Sequence, residues 1–215
     1  MSFSKCLQYE IPTADATIVW QELGAGDAFI TRAGGLPFTF ATGQKATLKV
    51  DAERLATHPE VLDKFLDLYA AHPCVQEAEV LSFVPNGMAD FGVELGHRMG
   101  KRVIHLFRPE GAPRTDIRYV SAQDEALARD VSSVCLVEDI SRTGFSAHVV
   151  ASMLRKANPG MDIHTLSMLQ RGPVESAYQA GNGSITYHTF VRRDIPLTLE
   201  EFQQQFPTIP VHTVE

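Results

Sequence analysis

The sequence has no cluster of basic residues. Its 215 residues include 19 Lys and Arg against 26 Asp and Glu, so the formal net charge is −7. An acidic chain of this kind is not expected to bind nucleic acid through a general electrostatic surface. If its ligand is highly phosphorylated, the positive charge that meets the ligand must be concentrated locally.

Long apolar runs and paired cysteines are also lacking. No apolar run approaches the length of a transmembrane helix, and the opening M-S-F-S-K-C-L lacks the apolar core of a signal peptide. The three cysteines, Cys6, Cys74 and Cys135, are odd in number and widely spaced, with no C-x-x-C pair. They predict a reducing compartment and no disulfide framework. We therefore expect a cytoplasmic protein without a membrane partner.

Metal-binding and dinucleotide-binding spacings are missing as well. The eight histidines show no H-x-x-x-H or H-E-x-x-H pattern, so a zinc site is not expected. His105 falls within a predicted strand, and we interpret it as a packed residue rather than a catalytic one. Gly24 and Gly26 do not form the fingerprint of a dinucleotide-binding loop.

Strands and helices alternate between residues 60 and 170. Apolar residues recur at helical spacing over 58–71, 91–99 and 147–157. Compact apolar or β-branched segments predict strands over 80–84, 102–107, 134–137, 163–169 and 184–191. A long polar connection, 108–129, separates two of these strands and is typical of a functional loop. The pattern predicts an α/β fold with a doubly wound, mainly parallel sheet.

The two ends of the chain lie outside this alternation. Segments 38–40 and 47–50 predict a small β-hairpin around a turn at 41–43, and 199–206 predicts a tail helix. Trp20 is expected to be a core anchor. We expect a single domain with three parts: an N-terminal hood or hairpin element (about 1–57), an α/β core (about 58–192) and a C-terminal tail helix (about 193–215).

The most informative stretch is V-C-L-V-E-D-I-S-R-T-G-F-S, residues 134–146. Four apolar residues predict a buried strand, the acids Glu138 and Asp139 follow, and a loop of small and polar residues leads into a helix. Backbone N–H groups at a helix N-terminus, hydroxyls and the adaptable Gly144 suit a phosphate. The carboxylates would repel a phosphate and suit sugar hydroxyls or a divalent cation.

These parts together predict a ligand in which a phosphate lies beside a diol, such as ribose 5-phosphate. The plain alternative is a strand followed by a solvated acidic turn, which is common in α/β proteins. We prefer the ligand site because all of its parts stand in the required order.

The same stretch resembles the phosphoribosyl-diphosphate binding motif of the type I phosphoribosyltransferases. It agrees with that motif in residue class except at Arg142, where a threonine is usual. Four further segments resemble orotate phosphoribosyltransferases in particular: F-T-F-A-T-G-Q-K-A-T (38–47), F-V-P-N-G-M-A-D-F-G (83–92), F-R-P-E-G (107–111) and L-Q-R-G (169–172). The resemblance covers roughly residues 25–175 and implies the type I phosphoribosyltransferase fold with a small N-terminal hood.

The resemblance also implies an activity and a role for each matched residue. The activity is transfer of ribose 5-phosphate from phosphoribosyl diphosphate to a nucleobase, with an orotate-like pyrimidine as the first candidate, Mg²⁺ as cofactor and a homodimer as the assembly. Glu138 and Asp139 would hold the ribose hydroxyls, with Asp139 also near Mg²⁺. The other implied roles are 5-phosphate binding by Ser141, Arg142, Thr143, Gly144, Phe145 and Ser146; diphosphate binding by Pro85, Asn86, Gly87 and Met88; stabilisation of the leaving diphosphate by Arg108 and Arg114; and a nucleobase pocket bordered by Leu48, Lys49 and Arg171.

The chain departs from the orotate pattern in the segment 108–118. Pro109 replaces the usual lysine after Arg108, and Ala112, Pro113 and Arg114 stand where Lys and His are expected. Two interpretations follow. In the first, the protein is an enzyme whose arginines stabilise the diphosphate. In the second, it is a binding or regulatory protein that keeps the ribose-phosphate site without efficient catalysis.

Overall fold

The computed structural model describes residues 9–10, 13–40, 43–85, 88–171, 185–192 and 198–215. The chain divides into two compact units. Unit 1 comprises residues 1–11 and 66–192, and unit 2 comprises residues 12–65 and 193–215. Within the described residues, no helix is both long enough and apolar enough to cross a membrane.

The helices and strands of the described residues are as follows. The helices are α1 Thr13–Ala25, α2 Pro59–Ala71, α3 Pro73–Glu77, α4 Ala89–Met99, α5 Ala122–Asp130, α6 Phe145–Ala157 and α7 Leu199–Gln205. The strands are β1 Tyr9–Glu10, β2 Phe29–Arg32, β3 Phe38–Thr39, β4 Lys45–Ala46, β5 Lys49–Val50, β6 Val80–Phe83, β7 Val103–Ile104, β8 Leu106–Phe107, β9 Arg118–Tyr119, β10 Ser133–Ser141, β11 Asp162–Gln170, β12 Ile185–Arg192 and β13 His212–Val214. Two 3₁₀ helices span Ala33–Gly35 and Ala52–Thr57.

Unit 1 is built on a six-stranded sheet in the order β1-β12-β11-β10-β6-β7. All of its strand pairs are parallel. The chain proceeds from β6 outward to β7 on one side, and from β10 outward to β11 and β12 on the other. The direction of winding therefore reverses between β6 and β10, and ligands of such sheets bind beyond the carboxyl ends of the two strands at that point. The predicted doubly wound, mainly parallel sheet is confirmed.

Both faces of this sheet are covered, which is why its strands read as nearly continuous apolar runs. On one face, Val134 and Leu136 of β10 belong to a buried cluster with Val150 and Leu154 of α6. On the other face, the ring of Tyr69 in α2 packs edge-on against Phe91 and Phe190. Burial of this apolar surface is the main term that stabilises the unit.

Helix α4 approaches β6 closely at Gly92. A Cβ atom at this position would lie 2.8 Å from the ring of Phe83, which is too close for any other residue without a shift. This glycine thereby fixes the distance between α4 and the end of β6.

Two predictions about unit 1 need correction. Strand β10 runs to Ser141, so the acidic pair lies within the strand and not in the following loop. The connection is shorter than 108–129 because α5 begins at Ala122; the charged run from Asp124 to Asp130 within it predicts a solvated helix face, and that prediction is confirmed except at Asp124, which is buried. That helix begins where the Ser121 hydroxyl accepts a hydrogen bond from the Asp124 amide, with acids in its first turn and Arg129 in its last.

Unit 2 contains a three-stranded sheet in the order β13-β2-β5 and a separate pair of strands, β3 and β4. The hairpin is confirmed, but its returning strand is 45–46 and not 47–50. The turn is tight because Gly43, at φ 79°, donates a hydrogen bond to the Phe40 carbonyl at 2.8 Å. Residues 49–50 pair antiparallel with β2 instead.

The core of unit 2 is aromatic. Trp20 stacks on Phe29 at 5.6 Å and on Phe206 at 4.8 Å between ring centroids, as a core anchor would. Phe202 of α7 is fully buried beside Phe29. The tail also supplies β13, a strand the sequence pattern did not indicate, which pairs parallel with β2. Residues 198–215 are therefore part of the unit and not an appended helix.

Candidate functional site

Residues 141–146, which we call the phosphate loop, connect the carboxyl end of β10 to the start of α6. Gly144 precedes the helix in the left-handed conformation, at φ 82°, which costs an L-residue about 1–2 kcal/mol. The Phe145 amide donates to the Thr143 hydroxyl at 3.4 Å. Amides in the first turn of a helix have no carbonyl partner within it, and the helix dipole favours an anion at this end. The loop therefore has the construction of a phosphate site.

The backbone of the phosphate loop is held by the neighbouring strands. The side-chain amide of Gln170 donates to the Arg142 carbonyl at 2.8 Å, and the Arg171 amide donates to the Ser141 carbonyl at 2.7 Å. The hydroxyl of Tyr187 donates to the Gly144 carbonyl at 3.4 Å. Three carbonyls of the loop are thus fixed to β12 and the end of β11, so the loop is organised without a ligand.

The two acids on β10 have different surroundings. Adjacent residues of a strand point to opposite faces, and Glu138 is buried while Asp139 is half-buried. Burial, and then the charge of Asp139, raises the pKa of Glu138 to about 7. An Asp139 oxygen accepts from the Ile140 amide at 2.7 Å.

The side chains of Glu138 and Ser141 lie close together in the buried part of this site. The Ser141 hydroxyl partly offsets the rise in the pKa of Glu138, although neither its Oγ nor Oε2 of Glu138 makes a hydrogen bond of good geometry with a described residue. Buried oxygens of this kind can accept a hydrogen bond from a ligand or a water.

Tyr69 is a site residue that the sequence pattern did not identify. Its hydroxyl donates to the Glu138 carbonyl at 2.8 Å, and its side chain is completely buried. Burial, reinforced by the charge of Asp139, raises the pKa of Tyr69 well above its usual value, so the phenol keeps its proton and remains a donor. In the sequence it appears only as one apolar position of helix 58–71, so no local signal distinguishes it from a core residue.

The segment after β6 forms the other side of the point where the winding reverses. The Val84 amide donates to the Val137 carbonyl at 3.0 Å, which keeps this segment beside β10. Pro85 is half-buried, and Met88 is buried where it precedes α4. Asn86 and Gly87, the other two residues predicted for the diphosphate, lie outside the described residues.

Residues 108–117, which we call the arginine loop, leave the core between β8 and β9. These two strands pair antiparallel and close the base of the loop. Arg114 reaches the phosphate loop: its guanidinium donates to the Ser146 hydroxyl at 2.7 Å and lies 5.4 Å from the centre of the Phe145 ring. Arg118 instead makes a two-pronged pair with Asp116, at 2.9 and 2.8 Å. The predicted residue Arg108 is half-buried at the start of the loop.

The residues predicted for the nucleobase fall in different units. Arg171 follows β11 in unit 1, where its amide holds the phosphate loop. Leu48 and Lys49 belong to unit 2, where Leu48 is completely buried and the Lys49 ammonium lies 3.2 Å from Asp51. His105, interpreted as packed, is partly exposed, and its Nδ1 lies 3.0 Å from Asp124.

Solved structures that the chain resembles in fold include phosphoribosyltransferases. Orotate phosphoribosyltransferase from Aeropyrum pernix superimposes with a TM-score of 0.63 at 17% identity, covering 88% of this chain and 98% of that one. Adenine phosphoribosyltransferase from Trypanosoma brucei, solved with AMP, pyrophosphate and ribose-5-phosphate, superimposes with a TM-score of 0.55 at 12% identity, covering 85% of this chain and 82% of that one. The chain therefore has the fold of the type I phosphoribosyltransferases.

Sequence comparison finds a similarity to an orotate phosphoribosyltransferase. No family model matches the chain. Orotate phosphoribosyltransferase of Agrobacterium fabrum (strain C58) is 28% identical over 159 residues, which is 71% of this chain. The match spans 65% of that relative, slightly less than two thirds of its length. The resemblance drawn from residues 134–146 is confirmed: the chain is type I phosphoribosyltransferase-like and similar to the orotate enzymes.

Proposed function

We propose that the protein transfers ribose 5-phosphate from phosphoribosyl diphosphate to a ring nitrogen of a nucleobase and releases diphosphate. The observation that carries this proposal is the phosphate loop, which lies directly after two carboxylates where the winding of the sheet reverses. The similarity to phosphoribosyltransferases in sequence and fold supports it. An orotate-like pyrimidine is the first candidate for the base, because the curated relative is named for orotate.

Each end of the sugar phosphate has a proposed partner. The backbone and hydroxyls of the phosphate loop, from Ser141 to Ser146, bind the 5-phosphate. Asp139, the more exposed acid, accepts hydrogen bonds from the ribose hydroxyls. Glu138 supports the same end of the sugar from its buried position beside Ser141, where its carboxylate can accept a hydrogen bond.

The diphosphate is proposed to lie between the segment 85–88 and the arginine loop. Backbone groups of Pro85, Asn86, Gly87 and Met88 are assigned to it by resemblance, together with the side chains of Arg108 and Arg114. Arg114 already contacts the phosphate loop through Ser146. The nucleobase is assigned to Leu48, Lys49 and Arg171 by resemblance, and a homodimer and a cytoplasmic location are expected on the same basis.

A magnesium ion fits this chemistry. Mg²⁺ binds through one or two carboxylates together with substrate phosphates and waters, and the half-exposed carboxylate of Asp139 is such a hard oxygen ligand. When bound, Mg²⁺ supplies positive charge that neutralises the leaving diphosphate.

The reaction needs little covalent chemistry from the protein. The bond between C1 of the ribose and the diphosphate oxygen breaks, and the oxygen keeps the electron pair. The base nitrogen forms the new bond to C1, and its proton is lost to solvent. The charge that develops on the diphosphate is stabilised by the guanidinium groups of Arg108 and Arg114, which is the main catalytic contribution of this chain.

Diphosphate release tests the proposal. The purified protein is mixed with phosphoribosyl diphosphate, Mg²⁺ and one base at a time, with orotate, uracil, adenine, guanine and hypoxanthine in separate reactions. We expect release with one base, and orotate first. Tight binding of phosphoribosyl diphosphate without release for any base would overturn the proposed enzyme and favour the ribose-phosphate-binding regulator. The specific observation in favour of that second function is the absence of lysines from the arginine loop.

A further inference from the structure

Three buried side chains of unit 1 converge away from the proposed active site. They are His72, which precedes α3, Cys74 in its first turn, and His188 of β12. One ligand atom of each lies within 4.8 Å of those of the other two. All three residues are less than 9% exposed. We propose that His72, Cys74 and His188 form a zinc site that joins α3 to β12.

The individual contacts support a common ligand for these groups. Nδ1 of His72 lies 3.0 Å from the Cys74 sulfur, and the His72 and His188 rings are 5.2 Å apart between centroids. Two imidazoles and one thiol are the ligand types that zinc takes in proteins, at about 2.0–2.3 Å from the metal. A strongly hydrated ion such as Mg²⁺ would not suit a buried nitrogen and sulfur set.

A second observation is the chain of groups behind His188. Nε2 of His188 lies 2.9 Å from Nδ1 of His164, and Nε2 of His164 lies 3.1 Å from the carboxylate of Asp162. Histidines that bind metals are usually oriented by such an outer partner, which fixes the tautomer and strengthens the ligand. With Nε2 engaged in this way, Nδ1 of His188 is the nitrogen proposed to meet the metal.

Metal binding requires the thiolate form of each coordinating cysteine. The thiol proton is released to solvent when the metal binds.

Cys135 lies beside the fourth coordination position of the proposed zinc ion. Its sulfur lies 3.6 Å from that of Cys74, close to the separation of about 3.7 Å that two thiolates adopt on one tetrahedral zinc. Cys135 is on β10, four residues before Asp139, which places it about 13 Å along the strand from that acid. The zinc site is therefore separate from the proposed active site, and it is proposed as structural.

Spacing rules could not have revealed this site. His72 and Cys74 form a short H-x-C pair, but His188 lies more than a hundred residues later on a different strand. Only the parallel sheet and the packing of α3 against it bring the three side chains together.

Cobalt binding tests the proposal. The full-length chain is prepared with Cys6→Ser, so that Cys74 and Cys135 are its only thiols. After treatment with a chelator, it is titrated with Co²⁺, which reports tetrahedral thiolate coordination by strong visible bands and a sulfur-to-metal charge-transfer band. We expect one Co²⁺ per chain, displaced by Zn²⁺. Cys74→Ser should reduce the charge-transfer band by at least half, and His188→Asn should weaken binding at least 10-fold.

Two controls keep the test informative. His97→Asn replaces an exposed histidine of α4 and should leave the titration unchanged. Protection of Cys74 from alkylation by Zn²⁺ provides a measurement that requires no ligand variant to fold. Binding below one ion per chain, a charge-transfer band that is unchanged in Cys74→Ser, or alkylation that Zn²⁺ does not slow would each overturn the site. Binding of phosphoribosyl diphosphate by the metal-stripped protein is measured alongside, so failure of this site is distinguishable from failure of the proposed function.

Discussion

The phosphate loop and the arginine loop meet at Ser146 but are built in different ways. The phosphate loop is mounted between a nine-residue strand and a thirteen-residue helix, and its carbonyls are tied to β12 and the end of β11. The arginine loop depends on a ladder of two residue pairs at its base. Parts on regular elements are held in place by the core, whereas parts on loops are positioned mainly by local contacts.

This difference separates two questions about function. Which ligand binds depends on the phosphate loop and the acids of β10, and both are fixed by the sheet. How fast the ligand reacts depends on the arginine loop, where this chain departs most from the orotate pattern. The following experiments test whether the phosphate loop determines ligand binding and the arginine loop determines the reaction rate. They begin with the largest expected effect.

Removal of both carboxylates on β10 should have the largest effect. The double variant Glu138→Gln with Asp139→Asn loses charged hydrogen-bond acceptors for the ribose hydroxyls, at about 1.5–3 kcal/mol each. We expect phosphoribosyl diphosphate to bind at least about 100-fold more weakly by calorimetry. The double variant Glu125→Gln with Asp130→Asn removes the same charge from α5 and should bind normally. Unchanged binding in the β10 variant would show that the acids are not part of the site.

The buried position of Glu138 should make stability depend on pH. Its pKa is raised from 4.5 to about 7 in the folded protein. Between these values, the unfolded chain loses the proton while the folded chain keeps it, so stability falls as pH rises and the full cost is reached above pH 7. The loss is about 2–3 kcal/mol between pH 4 and pH 8.

Urea unfolding at several pH values measures this effect. Glu138→Gln should flatten the decline, whereas Glu94→Gln, on the exposed side of α4, should leave it as in the wild type. If wild-type protein and Glu138→Gln show parallel curves, Glu138 does not have the raised pKa.

Arg114 and Arg118, two of the three arginines of the segment 108–118, should differ in their effect on turnover. Arg114→Ala removes a guanidinium that contacts the phosphate loop, and loss of one such group typically costs about 2–3 kcal/mol of transition-state stabilisation. We expect kcat/KM to fall about 30-fold or more, mostly in kcat. Arg118→Ala serves as the matched control, because Arg118 pairs with Asp116. Equal losses in both variants would argue against a special role for Arg114.

The smallest effect should come from Tyr69→Phe. This change removes the donor to the Glu138 carbonyl and should lower the free energy of unfolding by about 1 kcal/mol, as for a buried hydrogen bond. Tyr119→Phe is the control, since the buried Tyr119 hydroxyl has no partner among the described residues. Thermal or urea unfolding compares the two. A Tyr69→Phe protein as stable as Tyr119→Phe would mean that the hydroxyl does not support β10.

The parts of the fold that could be predicted are those encoded by local pattern. The apolar run 134–137, the acids and the small residues before α6 lie next to each other in the chain, so the phosphate loop could be recognised from sequence. The alternation of strands and helices likewise indicated the parallel sheet. The sequence pattern ends strand β10 too early because Glu138, Asp139 and Ser141 are polar, although the ladder with β11 continues to Ser141.

The parts that could not be predicted depend on contacts between distant segments. Tyr69 forms a hydrogen bond with Glu138, which lies sixty-nine positions later in the chain. The sequence around either residue does not predict this contact. The hairpin's returning strand was misplaced because the pairing of residues 49–50 with β2 competes with hairpin pairing, and only the tertiary structure decides between them. Residue spacing could not predict the group formed by His72, Cys74 and His188 for the same reason.

The pairing of β13 with β2 has a consequence for the order of folding. Unit 2 draws its strands and aromatic core from residues 13–65 and 198–215, which are separated in the chain by five of the six strands of the large parallel sheet. During synthesis on the ribosome, Trp20 and Phe29 emerge long before Phe202 and Phe206. The apolar surface of the first two residues therefore stays exposed until the last two have been synthesised. Contacts of such long sequence separation form late. The emerging chain therefore passes through a stage in which unit 1 can already be complete while unit 2 still exposes part of its core and is open to chaperones.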